Sequence, residues 1–259
     1  MNESMSVLLE QVIAIARQAG DLVMEVYGSD FAVRGKLDAS PVTEADERAE
    51  ALILQALAQC TPQIPVISEE AAAAGQVPEV GRRFWLVDPL DGTREFIKRN
   101  GEFTVNIALI DNAEPVLGVV LAPALQRLFA GARGCGAFIE QAGQRQPIHC
   151  RTVSPEGLDV VASRSHGDAE ALDKFLDGRK VRSLKSAGSS LKICLVACGE
   201  ADLYPRLGRT MEWDIAAGHG VLLAAGGQLR TLEGEVLGYG KAGLDNPHFY
   251  AHGLSLQEL

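Results

Sequence analysis

The stretch Trp85-Leu86-Val87-Asp88-Pro89-Leu90-Asp91-Gly92-Thr93 is the most informative part of this chain. Its apolar start, preceded by Phe84, is typical of a buried strand, and that strand ends in an acid. Pro89 fixes the backbone direction, while Gly92 permits an unusual backbone angle and the close approach of a ligand. Two carboxylates this close repel each other, so one holds a proton unless a cation lies between them. The segment therefore predicts a site for Mg²⁺, which prefers oxygen ligands, with an ordinary surface turn as the alternative.

Three further acidic motifs are spread along the chain. Glu69-Glu70 follows a short predicted strand, Asp214 precedes a helix predicted from Ile215, and Thr43-Glu44-Ala45-Asp46 opens another helix. Each motif has a purely structural alternative, namely a pair of solvated acids, a helix N-cap at Asp214 and a capping box in the third motif. Their order and spacing along one chain favour a shared site.

Length and composition limit the class of protein. The chain has 259 residues, of which 47% are hydrophobic and 22% charged, as in globular proteins of one large domain or two closely packed ones. The formal net charge is −10, so no excess of Lys and Arg is available to neutralise a nucleic acid. A small anionic ligand remains compatible with this charge. No uncharged apolar run is long enough for an integral membrane segment.

The cysteines and the N-terminus favour a reducing compartment. Five cysteines in a large chain argue against a disulfide framework, and Cys194 and Cys198 lack nearby partners for a zinc site. We expect Cys194 and Cys198 to be ordinary buried thiols. The N-terminus has no basic segment followed by an apolar run and a small-residue cleavage site. The prediction is a cytoplasmic protein, with loose attachment to the inner face of the membrane left open.

Hydrophobic periodicity predicts the secondary structure. The predicted helices cover 8–26, 44–59, 169–176, 190–197 and 215–225, and the predicted strands cover 65–68, 84–87, 104–110, 116–121, 137–139, 160–163, 181–184 and 201–204. In the second helix Glu44, Glu47, Arg48 and Glu50 are expected on the exposed face. The strand–helix alternation of the second half predicts an α/β fold, a sheet covered by helices on both faces. A polar stretch at 141–156 suggests a boundary near residue 150.

Four motifs together resemble the inositol monophosphatase superfamily of magnesium-dependent, lithium-sensitive phosphatases. They are Asp38-Ala39-Ser40-Pro41-Val42-Thr43-Glu44-Ala45-Asp46, Ser68-Glu69-Glu70, the stretch from Trp85 to Thr93, and Trp213-Asp214-Ile215-Ala216-Ala217-Gly218. The resemblance covers nearly the whole chain. It implies a layered αβαβα sandwich, the sugar-phosphatase type of α+β fold. The N-terminal unit, 1–150, would carry most metal ligands, and the C-terminal unit, 151–259, would carry Asp214 and substrate contacts.

Other segments are similar to the nucleotidase branch of that superfamily. They are Arg94-Glu95-Phe96, Ser163-Arg164-Ser165-His166, Gly188-Ser189-Ser190-Leu191-Lys192 and Leu203-Tyr204-Pro205-Arg206-Leu207-Gly208. Members of this branch remove the 3'-phosphate of 3'-phosphoadenosine 5'-phosphate, a product of sulfur metabolism, to give AMP and phosphate. Arg209 stands where that pattern usually has Pro, which leaves the shape of this loop in question.

The resemblance implies a role for each motif residue. The first magnesium would be held by Glu69, Asp88 and the carbonyl oxygen of Leu90, and the second by Asp88, Asp91 and Asp214. Glu69 is also assigned to a weaker third ion. The catalytic residues are Asp46, Thr93 and Glu69, of which Asp46 and Thr93 orient and deprotonate the attacking water. Two divalent ions neutralise the phosphate and activate that water for in-line attack.

Substrate contacts are implied in both halves of the chain. The candidates are Glu69, Leu90, Asp91, Gly92, Thr93, Ser163, Arg164, His166, Ser189, Lys192, Arg206 and Asp214. The backbone at Gly92 and Thr93 resembles a phosphate cradle. For Arg164 and Lys192 a solvated surface charge is the alternative. The expected partner is a phosphorylated nucleotide, and a monomer and a homodimer are both compatible with the sequence.

Two other functions remain as alternatives. The first is a phosphatase for inositol monophosphates or fructose 1,6-bisphosphate, against which Arg94-Glu95-Phe96 argues. The second is a non-catalytic protein that senses nucleotide or metal. The complete set of acids needed for hydrolysis argues against this second alternative.

Overall fold

The computed structural model describes residues 2–35, 41–163 and 169–253, which form helices and two large sheets. The helices are α1 (Asn2–Tyr27), α2 (Glu44–Cys60), α3 (Glu69–Ala73), α4 (Thr93–Ile97), α5 (Ala169–Leu176), α6 (Leu191–Ala197) and α7 (Glu212–Ala224). The strands are β1 (Val33–Gly35), β2 (Pro41–Thr43), β3 (Val66–Ser68), β4 (Arg83–Asp91), β5 (Thr104–Asp111), β6 (Glu114–Ala122), β7 (Arg127–Ala132), β8 (Gly136–Gln141), β9 (Gln144–Ile148), β10 (Leu158–Ser163), β11 (Val181–Ala187), β12 (Leu203–Arg206), β13 (Gln228–Thr231) and β14 (Phe249–His252).

The first large sheet has seven strands in the order β3-β4-β5-β6-β7-β8-β9. β3 and β4 are parallel, and the other neighbours are antiparallel. The predicted β5–β6 hairpin is confirmed, and its turn is tight because Asn112 and Ala113 both adopt positive φ angles, 53° and 59°. β4 is buried on both faces, since Trp85 packs into one hydrophobic cluster and Leu86 into the other.

Helices α1 and α2 cover one face of this sheet. Their apolar stripes, which include Val12, Ala16 and Ile53, pack together with Trp85 and Ile107 in one core cluster. α2 begins at a capping box, the structural alternative that the sequence offered for this motif. The Thr43 hydroxyl accepts from the Ala45 N–H, and the Asp46 carboxylate accepts from the Thr43 N–H.

The second large sheet has five strands in the order β11-β10-β12-β14-β13. Helices α6 and α7 lie between the two sheets, and their side chains join residues of both sheets in a second core cluster. On the far side, Phe175 and Leu176 of α5 pack against Leu158, Val160 and Leu203. The layers are therefore helices, sheet, helices, sheet, helix, which confirms the αβαβα sandwich.

Helix α7 lies unusually close to β6. A Cβ atom built on Gly118 would lie 2.1 Å from the Ala217 carbonyl oxygen, so this strand position has no room for a side chain. The first turn of α7 carries Asp214, and the contact with β6 therefore fixes the height of that carboxylate above the sheet.

Some details differ from the sequence-based expectations. α7 begins at Glu212 rather than Ile215, so Asp214 lies inside the first turn and is not the N-cap. It accepts instead from the N–H of Met211, which is the N-cap residue, at 2.9 Å. Strands β1, β2, β7, β9, β13 and β14 and the short helices α3 and α4 were not predicted. The seven-stranded sheet uses 66–148 and the five-stranded sheet 158–252, but one core cluster spans both sheets, and the division at residue 150 stays a prediction.

The five cysteines are free thiols, as expected. Cys150 and Cys194 are buried, and burial raises the pKa of the Cys150 thiol to about 12, which keeps it protonated and unreactive. Among the described residues, none of the helices is both long enough and apolar enough to cross a bilayer.

Candidate active site

Three carboxylates meet where β3, β4 and α7 come together. Glu69, Asp88 and Asp214 each offer an oxygen, and these oxygens lie within 4.8 Å of one another. β3 and β4 are parallel neighbours with Ser68 opposite Val87, so the residues that follow these two positions emerge side by side. Asp214 arrives from the other side, in the first turn of α7.

Asp91 joins this group through an irregularity in β4. The register with β5 shifts between Asp88 and Asp91, and the Leu90 N–H donates to Asp88 Oδ1 at 3.0 Å. Asp91 Oδ2 accepts from the Ser190 N–H at 2.6 Å. Gly92 then turns the chain with a φ of 89°, a conformation that side chains disfavour. The carboxylates of Glu69, Asp88, Asp91 and Asp214 thus lie close enough to one another to interact electrostatically.

The carboxylate cluster brings together more negative charge than nearby cations neutralise. Burial first, then the neighbouring carboxylates, raise the pKa values of Asp88 and Asp214 well above their usual range. Burial raises the pKa of Asp91 to about 6, and the ammonium of Lys192 opposes this rise. Burial also lowers the pKa of Lys192 to about 8. Oxygen ligands that are buried, crowded and short of positive charge fit a hard divalent cation, and the residues present therefore suit magnesium.

Asp46 and Thr93 lie beside the carboxylate cluster as a hydrogen-bonded pair. The Thr93 hydroxyl lies 3.2 Å from Asp46 Oδ1 and 3.3 Å from the carbonyl oxygen of Leu90. The other oxygen, Asp46 Oδ2, accepts from both the N–H and the hydroxyl of Thr43 at 2.8 Å. The capping role and the proposed catalytic role therefore use different oxygens of one buried carboxylate.

A cavity of about 840 Å³ opens above the carboxylate cluster, between the two sheets. The sequence-predicted residues that line it are Glu69, Asp88, Leu90, Asp91, Gly92, Thr93, Ser163, Ser189, Lys192, Arg206 and Asp214. Asp46 is not in the lining and reaches the cavity only through Thr93. Arg164 and His166 lie outside the described residues.

The cavity wall from the second sheet is basic and polar. Arg206 Nη1 donates to the Ser163 hydroxyl at 2.6 Å, and Arg206 Nη2 donates to the carbonyl oxygen of Arg209 at 2.9 Å. Lys192 is buried and donates to the Ser189 carbonyl oxygen at 2.6 Å. Lys192 is therefore not the solvated surface charge that was its alternative. The same cavity is thus lined by carboxylates and by cations, and the Lys192 ammonium lies near enough to Asp91 to act on its pKa.

Glu50 is a site residue that the sequence analysis placed wrongly. It was expected on the exposed face of α2, but it is buried and accepts from the N–H groups of Glu70 and Ala71 at 3.0 Å each. These bonds tie the first turn of α3, and with it Glu69, to α2. No local signal indicates this role, because the partners lie about twenty residues away along the chain.

The segment 240–244 is a second part of the site that the sequence did not reveal. It lines the cavity and is held by Glu212, whose fully buried carboxylate accepts from the N–H groups of Gly240 and Lys241 at 2.8 and 2.9 Å. Lys241 Nζ also donates to Glu212, at 2.6 Å. The residue two positions before Asp214 therefore shapes the opposite wall.

Comparison with known proteins is consistent with this geometry. Residues 4–257 match the model of the inositol monophosphatase family. The 3'(2'),5'-bisphosphate nucleotidase CysQ of Escherichia coli strain K12 is 50% identical over 234 residues, covering 90% of this chain and 94% of that protein. The protein of the same name from Buchnera aphidicola is 40% identical over 252 residues, covering 95% and 94%.

Solved structures have the same fold. CysQ from Bacteroides thetaiotaomicron superposes with a TM-score of 0.79 at 37% identity, covering 95% of this chain and 97% of that one. An inositol monophosphatase from Thermotoga maritima superposes with a TM-score of 0.78 at 28% identity, covering 94% and 91%.

Proposed function

The chain belongs to the inositol monophosphatase family, and from this membership we propose that it is a magnesium-dependent 3'(2'),5'-bisphosphate nucleotidase. Its reaction is hydrolysis of the 3'-phosphate of 3'-phosphoadenosine 5'-phosphate to AMP and phosphate. The observation that carries the proposal is one cavity lined both by the Glu69, Asp88 and Asp214 carboxylates and by the cations Lys192 and Arg206. A substrate with two phosphates matches a cavity that combines a cation site with cationic side chains. The names of the bacterial relatives support it further.

The metal ligands follow from the carboxylate cluster. We assign two magnesium ions, and a weaker third ion at Glu69. The ligands assigned to the two stronger ions are Glu69, Asp88, Asp91, Asp214 and the Leu90 carbonyl oxygen. Magnesium bound there would neutralise the phosphate and lower the pKa of a coordinated water. The carboxylates are already converged by β3, β4 and α7, so the chain loses little conformational freedom on loading the site.

The Asp46–Thr93 pair moves the proton. Thr93 Oγ1 donates toward Asp46 Oδ1, so when the hydroxyl takes a proton from an attacking water in the cavity, its own proton passes to the Asp46 carboxylate. Asp46 Oδ2 is held by Thr43, so the carboxylate cannot rotate away. The acid thereby orients the Thr93 hydroxyl and acts as the base that receives the proton.

Lys192, Arg206 and Ser189 are assigned to the second phosphate and the nucleoside. The Arg206 guanidinium presents planar donors that match phosphate oxygens, and Lys192 supplies a buried point charge. Both already bond to neutral oxygens, Ser163 Oγ and the Ser189 carbonyl oxygen, and an incoming phosphate would compete for these donors. On the ground of its free thiols we place the chain in the cytoplasm, as a monomer or a homodimer.

The decisive experiment compares two substrates. Phosphate release is measured from 3'-phosphoadenosine 5'-phosphate and from inositol 1-phosphate with magnesium, and then with lithium added. We expect magnesium-dependent, lithium-inhibited hydrolysis of the nucleotide in clear preference. A preference for inositol 1-phosphate, or for fructose 1,6-bisphosphate in the same panel, would move the substrate to the other branch. Nucleotide binding without any turnover would instead indicate a sensor.

A further inference from the structure

A second cavity, of about 750 Å³, lies beside the second half of α7 and is lined by residues of both large sheets. Its walls come from the second half of α7, from the turn after β7, from β13 and from the segment around Val236. It shares no residue with the cavity above the carboxylates. Its volume is in the usual range of small-molecule sites.

The walls of this second cavity are largely apolar. Leu229 and Leu237 are buried beneath it, whereas Leu223 and Val236 remain 38% and 63% exposed at its rim. Large apolar side chains exposed around a concavity favour the binding of an apolar molecule, because its entry removes their surface from water.

One polar side chain faces this apolar space from below. His219 is 2% exposed and lines the cavity, and its Nδ1 lies 2.9 Å from the Tyr239 hydroxyl. The other ring nitrogen, Nε2, has no hydrogen-bond partner among the described residues. Nε2 is not one of the fully buried polar atoms that lack a hydrogen-bond partner. Part of its surface is therefore accessible, and the cavity is the space that His219 lines.

The bond to Tyr239 determines what Nε2 offers. The Tyr239 hydroxyl is buried, and Nδ1 is its one acceptor among the described residues, so the phenol proton points at Nδ1. A neutral imidazole that accepts at Nδ1 carries its proton at Nε2. Burial lowers the pKa of His219 to about 3, so the ring stays neutral near pH 7. The cavity therefore presents one neutral N–H donor at its base.

Arg133 and Arg230 lie at the rim of the cavity, but their bonds within the protein argue against an anionic ligand. Arg133 is paired with Glu114 at 2.6 Å, and Arg230 donates to Gln228 and to the Gly234 carbonyl oxygen at 2.8 Å each. One nitrogen of Arg133 and two nitrogens of Arg230 are therefore engaged within the protein. A charged group of a ligand, placed next to the neutral N–H of His219, would lose hydration without gaining a counter-charge.

We propose that this second cavity binds a small, uncharged, largely apolar molecule through a carbonyl oxygen that accepts from His219 Nε2. The site is independent of the proposed hydrolysis. It contacts α7 at residues 219–224, whereas the first turn of the same helix carries Asp214.

The test uses two isosteric probes on the full chain labelled with ¹⁵N. Acetophenone has the carbonyl oxygen, and α-methylstyrene has a CH₂ group in its place. We expect acetophenone to shift the backbone amide signals of residues that line the second cavity, with saturation in the millimolar range, and to move the His219 Nε2–H signal. α-Methylstyrene should bind about fivefold more weakly, the difference expected for one hydrogen bond.

Two variants close the cavity from opposite sides. Leu223→Trp and Val236→Trp replace exposed rim residues, so the fold should tolerate them, and each should abolish the shifts. Leu184→Trp is the matched control, since Leu184 is 55% exposed on β11 and lines neither cavity. Absence of saturable shifts, equal affinity for both probes, or undiminished binding in both cavity-filling variants would overturn the proposal. None of these outcomes depends on phosphatase activity.

Discussion

Two groups of buried carboxylates lie in this protein, and their surroundings are opposite. Asp159 and Asp202, in and beside the second sheet, face the guanidinium groups of Arg151 and Arg182. Arg151 Nε donates to Asp202 at 2.8 Å, and Arg182 Nε donates to Asp159 at 2.9 Å. The hydrogen bond from Arg182 holds the pKa of Asp159 well below its usual range. We call these four residues the paired cluster.

Among the described residues, no guanidinium bonds to Asp88, Asp91 or Asp214 in the carboxylate cluster, and the Lys192 ammonium only partly offsets the effect of burial on Asp91. Asp88 and Asp214 accept from the backbone N–H groups of Leu90 and Met211, and their pKa values are raised. The same residue type is thus buried in two ways within one chain. Where the chain supplies the counter-charge, the acids serve the fold; where it does not, the charge must come from outside. This contrast distinguishes a cation site from a structural ion pair more sharply than the number of acids does.

The largest effect is expected for Asp91→Asn, which removes one charge from the carboxylate cluster. Turnover should fall about a thousandfold or more, because several kcal/mol of transition-state stabilisation by the metal depend on this ligand set. The circular dichroism spectrum and melting temperature should stay close to those of the parent protein. Asp21→Asn, on the exposed face of α1, is the control for loss of charge alone. Turnover retained in Asp91→Asn would contradict the metal assignment.

Asp46→Asn tests an acid that lies between the two types. It is buried like the carboxylate cluster but accepts from Thr43 and Thr93, as a structural acid would. We expect kcat to fall about a hundredfold, the range of a lost general base, with little change in the magnesium concentration that gives half-maximal activity. The opposite pattern is a nearly normal kcat with a much higher magnesium concentration for half-maximal activity. That result would make Asp46 chiefly a metal ligand.

Asp202→Ala breaks the paired cluster. It removes one of the two carboxylates that bond to Arg151, leaves the N–H of Asp159 without its acceptor and should lower the free energy of unfolding by about 2 kcal/mol. Urea denaturation measures this loss, and kcat should be unchanged because the pair is remote from the cavity lining. A large fall in kcat in the folded variant would show that the two clusters are coupled.

The smallest expected effect concerns the free energy of unfolding, to which the two clusters contribute with opposite pH dependence. For Asp91, with a pKa raised to about 6, the folded state binds more protons than the unfolded state, so stability is lost as pH rises through about 6. For Asp159 the pKa is lowered, so its contribution is present near neutrality and is lost as pH falls below about 4. The metal-free protein should therefore be more stable at pH 5 than at pH 8, by on the order of 1 kcal/mol. Saturating magnesium should remove this difference in urea unfolding curves, whereas a difference unaffected by magnesium would refute its origin in the carboxylate cluster.

Local patterns predicted the parts of this site that lie close together in the sequence. The end of β4, the capping box at Thr43 and the hairpin after β5 depend on neighbouring residues, and each was confirmed. The start of α7 was misplaced because an acid in a first turn and an acid at an N-cap produce similar patterns. Glu50 and Glu212 could not be recognised, because the groups that bury them come from segments about twenty or thirty residues away.

The missed strands have the same explanation. β9 has the sequence Gln144-Arg145-Gln146-Pro147-Ile148 and is mostly exposed, so it lacks the apolar alternation that marks a strand. β13 and β14 are short, and they are stabilised by pairing with each other and with β12. Such short strands depend on neighbours that are distant in the sequence, which no local window contains.

The contact between Gly118 and α7 also bears on how this enzyme can vary. Gly118 touches neither of the cavities, yet a methyl group there would collide with the carbonyl oxygen of Ala217 and push the helix outward. Asp214 would move with it, and displacements of about 1 Å in catalytic groups can cost about a hundredfold in rate. In a library of random variants screened for phosphate release, position 118 should tolerate substitution as poorly as the metal ligands, although it contributes no atom to the chemistry.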